Sequence, residues 1–138
     1  MDRVVLDTNC LLAALSKKGA YFNVWRGLQM GRFTLCVSNE ILLEYEEVIS
    51  LKTNTKVACN VVRAINNSPY VELITPYYQF NLIHADPDDN KFVDCAIAAG
   101  VDLLVSNDSH FSALRNIPFP RVCVVDIATF VRRLEQLA

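Results

Sequence analysis

Carboxylates are the side chains whose placement in this chain suggests chemistry. Asp89 lies in the run Asp86-Pro87-Asp88-Asp89-Asn90-Lys91-Phe92-Val93-Asp94-Cys95-Ala96-Ile97-Ala98-Ala99-Gly100. Local signals there agree on a helix start: Asp86 serves as N-cap, Pro87 suits the first helical position and Asp89 falls at the third. From Asp89, offsets of three, four, seven and eight reach Phe92, Val93, Ala96 and Ile97, one apolar stripe at helical spacing. Asp89 therefore belongs to the face that turns inward, where a lone carboxylate is costly and needs an amide, a base or a cation. A capping role is its plain alternative.

Asp7 and Asp108 each follow a short apolar run, Val4-Val5-Leu6 and Leu103-Leu104-Val105, of the kind that makes a buried strand. Open α/β sheets form their crevice outside the carboxyl ends of the strands, so these two acids and Asp89 can share a pocket. Two bare carboxylates about 4 Å apart repel by about 4 kcal/mol at an effective dielectric of about 20, so several stay ionised together only around a cation. Hard oxygen ligands without a histidine or cysteine set select Mg²⁺ or Mn²⁺ over zinc. Such a site suits in-line phosphoryl chemistry.

The elements that must position these acids alternate. Strands are expected at Arg3–Leu6, Phe33–Val37, Val71–Ile74, Leu103–Val105 and Arg121–Val125. Helices are expected at Cys10–Leu15, Tyr21–Met30, Asn39–Ile49, Thr53–Asn66 and from the Asp86 cap to Gly100, with a short one at His110–Leu114 and a last at Ile127–Leu137, capped by Asp126. In the third of these, Ile41, Leu42, Tyr45, Val48 and Ile49 make the core stripe; Glu44 and Glu46 flank it, and periodicity does not choose between them. In the fourth, Val57, Val61 and Ala64 are expected inward, and Trp25 in the second is expected to be a core anchor beside Phe22 and Leu28. The segment Tyr77-Tyr78-Gln79-Phe80 matches no element. This alternation implies an α/β fold, a mostly parallel central sheet flanked by helices on both faces, with right-handed crossovers bringing the strands' carboxyl ends to one edge.

With 138 residues the chain is expected to be a single domain, 1–138. A hydrophobic share of 52% against 20% charged, with no linker, charge block or repeat, excludes a disordered chain. The net charge of -2 argues against coating nucleic acid or a membrane by bulk charge, although thirteen Lys and Arg residues allow a local basic patch. The start, Met1-Asp2-Arg3-Val4, lacks the zones of a secretory signal, and no apolar run approaches the ~18 residues needed to span a bilayer. Five cysteines, an odd number without C-x-x-C spacing, are expected to be small core residues in a reducing compartment, and a soluble cytoplasmic protein is expected.

Four stretches together resemble PIN-domain proteins, the metal-dependent ribonucleases that include toxin components of bacterial toxin-antitoxin pairs. They are Val4-Val5-Leu6-Asp7-Thr8-Asn9, Ser38-Asn39-Glu40-Ile41-Leu42-Leu43-Glu44-Tyr45, Asp86 through Ala96, and Leu103-Leu104-Val105-Ser106-Asn107-Asp108. The resemblance spans nearly the whole chain and implies a PIN-like fold. Carried over by position, it implies Asp7, Glu44, Asp89 and Asp108 as catalytic residues and ligands of Mg²⁺ or Mn²⁺. Thr8 and Asn9 would support the first acid, and Ser38 would stand near the pocket. Asp94 is a further candidate because some relatives carry an acid there; it lies about 140° around the helix from Asp89. Many relatives place a glycine or basic residue before the last acid, where this chain has Asn107.

The implied activity is endonucleolytic hydrolysis of phosphodiester bonds in single-stranded RNA, and the implied partners are a cognate antitoxin protein and a second copy of the chain as a homodimer. Lys17, Lys18, Arg32, Lys91 and Arg115 are candidates for gripping phosphate. His84 and His110 are the available imidazoles, but metal-activated water removes the need for a general base. Two rivals keep the same sheet: a catalytically silent metal- or protein-binding module, and an aspartate phosphotransfer domain, which would want a lysine and a Thr or Ser at later strand ends. A dinucleotide or P-loop site is excluded, because neither G-x-G-x-x-G nor G-x-x-x-x-G-K occurs among four glycines.

Overall fold

A computed structural model describes residues 1–83 and 86–136. Five strands, β1 (Asp2–Leu6), β2 (Phe33–Val37), β3 (Val71–Leu73), β4 (Leu103–Val105) and β5 (Val124–Val125), pair in parallel in the order β3-β2-β1-β4-β5. β1 lies at the centre, with Val4 opposite Leu35 on one side and Leu103 on the other. Val4, Val5 and Leu6 are all buried, as a strand covered on both faces requires.

Six α-helices surround the sheet: α1 (Thr8–Leu15), α2 (Phe22–Gln29), α3 (Asn39–Lys52), α4 (Thr55–Asn67), α5 (Asn90–Ala99) and α6 (Ile127–Gln136). Alternation along β2 shows both faces covered. Phe33 meets Phe130 of α6 edge-on at 5.1 Å, whereas Cys36, on the opposite face, is fully buried, and α5 packs against β2. α5 packs across β1, β2 and β4, and α3 packs against α1, α4 and α5.

Local chemistry sets the element ends. Ser38 Oγ accepts the Ile41 amide at 3.2 Å and starts α3, which runs past Ile49 to Lys52. Asn54, not Thr53, caps α4 by accepting the Val57 amide at 2.9 Å, because the Thr53 amide and hydroxyl both turn back to the Ile49 carbonyl. Asp86 caps a 3₁₀ turn, Pro87–Asp89, that leads into α5, and Gly100 ends α5 in the left-handed region at φ 61°.

Several expectations are corrected. The inward positions of α4 are Ala58, Val61 and Ile65, with Ala64 exposed, because the stripe continues from Val61 by four residues rather than three. The last strand is only Val124–Val125; the Cys123 carbonyl still accepts the Leu104 amide at 2.8 Å, but Arg121 and Cys123 lie open at the sheet edge. Cys10, Cys36 and Cys95 are core residues, whereas Cys59 and Cys123 are exposed. Trp25 packs only half-buried against the core, and the stretch around His110 is a 3₁₀ helix, Ser109–Asn116. Leu137 and His84 lie outside the described residues.

The unassigned aromatic stretch is an irregular leash in which Tyr77 and Tyr78 are exposed. Two anchors tie it to α5: the Phe80 amide donates to Asp94 Oδ1 at 3.1 Å, and the Asn90 side chain exchanges two 2.9 Å hydrogen bonds with the Ile83 backbone. Among the described residues no helix is long and apolar enough to cross a membrane.

Candidate active site

The chain leaves β1 toward β2 and β3, then returns to the other side of β1 for β4 and β5, so the sheet has its switch point between β1 and β4. Loops leaving that point diverge and open a crevice at the strands' carboxyl ends. Asp7 occupies it, where its own amide donates to the Val105 carbonyl at 3.0 Å and closes β1 onto β4. Ser106, directly after β4, donates its hydroxyl to Asp7 Oδ2 at 2.8 Å and accepts the Asp108 amide at 3.0 Å. One serine therefore links the acid after β1 to the acid after β4.

Glu44 reaches the same place from α3. The neighbouring Tyr45 is fully buried, and its hydroxyl donates to the Leu6 carbonyl at 2.5 Å, which lays this turn of α3 over the end of β1. Thr8 Oγ1 then donates to Glu44 Oε2, and Lys91 Nζ sits 2.7 Å from Glu44 Oε1. Glu40, Glu46 and Glu47 stay exposed. From the start of α5, Asp89 faces inward, 9% exposed, with His110 Nδ1 at 3.1 Å from its Oδ2 and at 3.4 Å from Asp108 Oδ1. His110 is held there because its own amide donates to Asp108 Oδ1 at 2.9 Å.

The charges of these groups act on one another. Burial pushes the Asp7 carboxyl up from its ordinary value; the Ser106 hydroxyl and the Thr8 amide oppose this, and the charges of Glu44 and Asp108 add to it. Asp89 is pushed up to about 6, first by burial, against the His110 hydrogen bond, with Asp108, Asp86 and Asp7 adding to the rise. Asp7 thus feels the charges of Glu44 and Asp108, and Asp89 those of Asp108, Asp86 and Asp7.

The remaining candidates take other places. Asn9 is exposed, and the Ser38 hydroxyl is occupied as the α3 cap. Asp94 holds the leash, and burial raises its carboxyl pKa against the Phe80 hydrogen bond. It lines a polar hollow of about 180 Å³ with Ser38, Gln79, Asn90 and Lys91. Arg115 lines a second hollow, of about 230 Å³, with Ser106 and Asp108. Arg32 faces a different hollow with Arg26 and Leu134, and Lys17 and Lys18 are exposed beyond α1. Ser106 was not singled out in the sequence, although its place between an apolar strand and an acid is a usable signal. His110 had no signal of its own, because only the turn after Asp108 directs it inward.

The donor set suits a divalent cation: carboxylate oxygens that burial and mutual repulsion make short of positive charge. Lys91 is the cation that pairs with Glu44 here, and the His110 ring lies against Asp89 and Asp108.

An all-parallel five-stranded sheet, with acids following the two strands at its switch point, places the chain among the open α/β domains. The PIN domain family matches residues 3–110, and the chain belongs to that family. Among solved structures, VapBC2 from Rickettsia felis, bound to a DNA fragment from its promoter, is similar at 18% identity and TM-score 0.62, covering 90% of this chain and 98% of that one. VapC20 of Mycobacterium tuberculosis, a toxin that cleaves the sarcin-ricin loop, is similar at 17% identity and TM-score 0.57, covering 80% and 93%. The PIN domain of human SMG5 is similar at 14% identity and TM-score 0.58, covering 95% and 98%. At these identities the likeness concerns the fold. Comparison with curated proteins finds no match.

Proposed function

We propose that this chain is a metal-dependent endoribonuclease that hydrolyses phosphodiester bonds in single-stranded RNA, and that it is the toxin of a toxin-antitoxin pair. What supports the nuclease reading is that Asp7 and Asp108 follow β1 and β4 at the switch point of the sheet, joined through Ser106, and that Glu44 acts on Asp7 and Asp7 on Asp89 through their charges. The toxin role and an antitoxin partner rest on family membership and on the VapBC structures of similar fold. A homodimer is the expected assembly.

Asp7, Glu44, Asp89 and Asp108 would hold Mg²⁺ or Mn²⁺. When bound, the ion supplies a Lewis acid for the phosphoryl oxygen and lowers the pKa of the attacking water. The chain's own groups fix the carboxylates that do the holding. Ser106 orients Asp7 through Oδ2, and Thr8 and Lys91 orient Glu44 through its two oxygens. Arg115, in the hollow beside Asp108, is placed to meet a phosphate of the RNA strand.

The test is cleavage of an end-labelled, mixed-sequence single-stranded RNA by the purified protein with Mg²⁺, with Mn²⁺ and with EDTA. Cutting that requires metal supports the reading. Absence of cutting with every metal favours the silent binding module, and a calorimetric metal titration then shows whether the acids bind an ion at all.

A further inference from the structure

Asp86 lies outside the set of acids considered so far, yet it faces the same imidazole. One carboxylate oxygen of Asp86, one of Asp89 and a ring nitrogen of His110 lie within 4.8 Å of one another, each on a partly buried side chain. The three come from two elements fixed independently. Asp86 Oδ1 accepts the Asp88 amide at 3.1 Å and the Asp89 amide returns to the Asp86 carbonyl at 3.1 Å, so one tight turn presents both carboxylates. His110 is directed toward them by its amide bond to Asp108.

A nitrogen donor changes which cation such a place holds. Carboxylate oxygens alone suit Mg²⁺ and Mn²⁺ alike, whereas an imidazole strengthens binding of first-row transition ions, and Mg²⁺ gains little from it. We propose that Asp86, Asp89 and His110 form a nitrogen-containing metal position that shares Asp89 with the acid pocket and takes a transition-metal dication of the Mn²⁺ class in preference to Mg²⁺. The inference rests on reading the four acids as a metal site and adds to it a second position with its own selectivity. His110 is here a metal ligand and not a general base. Its ring abandons the bond to Asp89 Oδ2 and presents Nδ1 to the ion, a change that leaves the amide anchor to Asp108 in place.

The experiment is Mn²⁺ titration of the metal-stripped protein followed by electron paramagnetic resonance, with Mg²⁺ as competitor, on wild type, His110→Gln, Asp86→Asn and Asp7→Asn. Asp86→Asn keeps an oxygen for the Asp88 amide, so the turn survives while the ligand charge is lost. The expected result is a nitrogen-14 modulation on bound Mn²⁺ in wild type that disappears in His110→Gln. The preference for Mn²⁺ over Mg²⁺ should fall by about tenfold in His110→Gln and in Asp86→Asn. Bound Mn²⁺ without that modulation, or modulation that persists in His110→Gln, overturns the inference while leaving the acid pocket intact as a metal site. Wild type that binds neither ion, or binding of both ions that Asp7→Asn leaves unchanged, overturns the reading of the acid pocket as well.

Discussion

Asp7 is buried beside two other acids, and its raised pKa means that the folded protein penalises its charge at neutral pH. Asp7→Asn removes that charge and keeps an oxygen for the Ser106 hydroxyl. In EDTA the variant should melt a few degrees above wild type. With Mg²⁺ the order should invert, because a ligand bound only by the folded state raises the midpoint of wild type and not of the variant. Thermal melts with and without metal check both halves. Asp7 and Asp108 were legible because each follows an apolar strand, and Asp89 because it shares a helical stripe. Glu44 was not separable from Glu46 by period alone. Its selection depends on Thr8, Lys91 and the Tyr45 anchor, which are contacts between distant parts of the chain.

At the scale of elements, caps and strand order place the site, and they can be perturbed separately. Ser38→Ala removes the α3 cap and should cost about 1 kcal/mol in a denaturant titration. Gly31 and Gly100 both have positive φ, yet a Cβ on Gly100 meets nothing within 4 Å whereas one on Gly31 comes within 2.5 Å of the Tyr70 ring. Gly100→Ala should therefore cost about 1 kcal/mol from backbone strain, and Gly31→Ala should cost distinctly more. Asp2, at the start of β1, is held below its ordinary pKa by the Arg133 guanidinium of α6. A depressed carboxylate stabilises above its unfolded value and loses that contribution as pH falls below 3.8. Arg133 is half exposed and solvent screens the pair, so Asp2→Asn should lower stability at pH 7 by only about 0.5 kcal/mol and flatten the acid limb of the pH-stability profile. β1 and β4 were legible because doubly covered strands read as continuous apolar runs. The two-residue β5 was overextended because the apolar run that marks it continues past the point where partners end. Ala64 was misplaced because three- and four-residue steps along α4 differ by one position, and only packing decides between them.

At the scale of the whole molecule, the all-parallel sheet has β1 at its centre and its switch point between β1 and β4, and Asp7 and Asp108 follow those two strands. All five cysteines are free, three in the core and two exposed. Burial pushes the Cys10 and Cys95 thiols up to about 12 and raises Cys36, while Cys59 and Cys123 are exposed. Ellman's reagent should therefore titrate Cys59 and Cys123 rapidly in the folded protein and the other three only on unfolding. Fold class was readable from strand and helix alternation. The leash was not, because its order comes from Asp94 and Asn90 on α5 rather than from any pattern of its own.

The most direct test of the central claim, that the four converging acids hold the metal for RNA hydrolysis, is the rate of Mg²⁺-dependent cleavage of single-stranded RNA by wild type beside Asp7→Asn at equal fold integrity. The account predicts metal-dependent cutting in wild type that falls by about a hundredfold or more in the variant. Equal rates for the two proteins would contradict it.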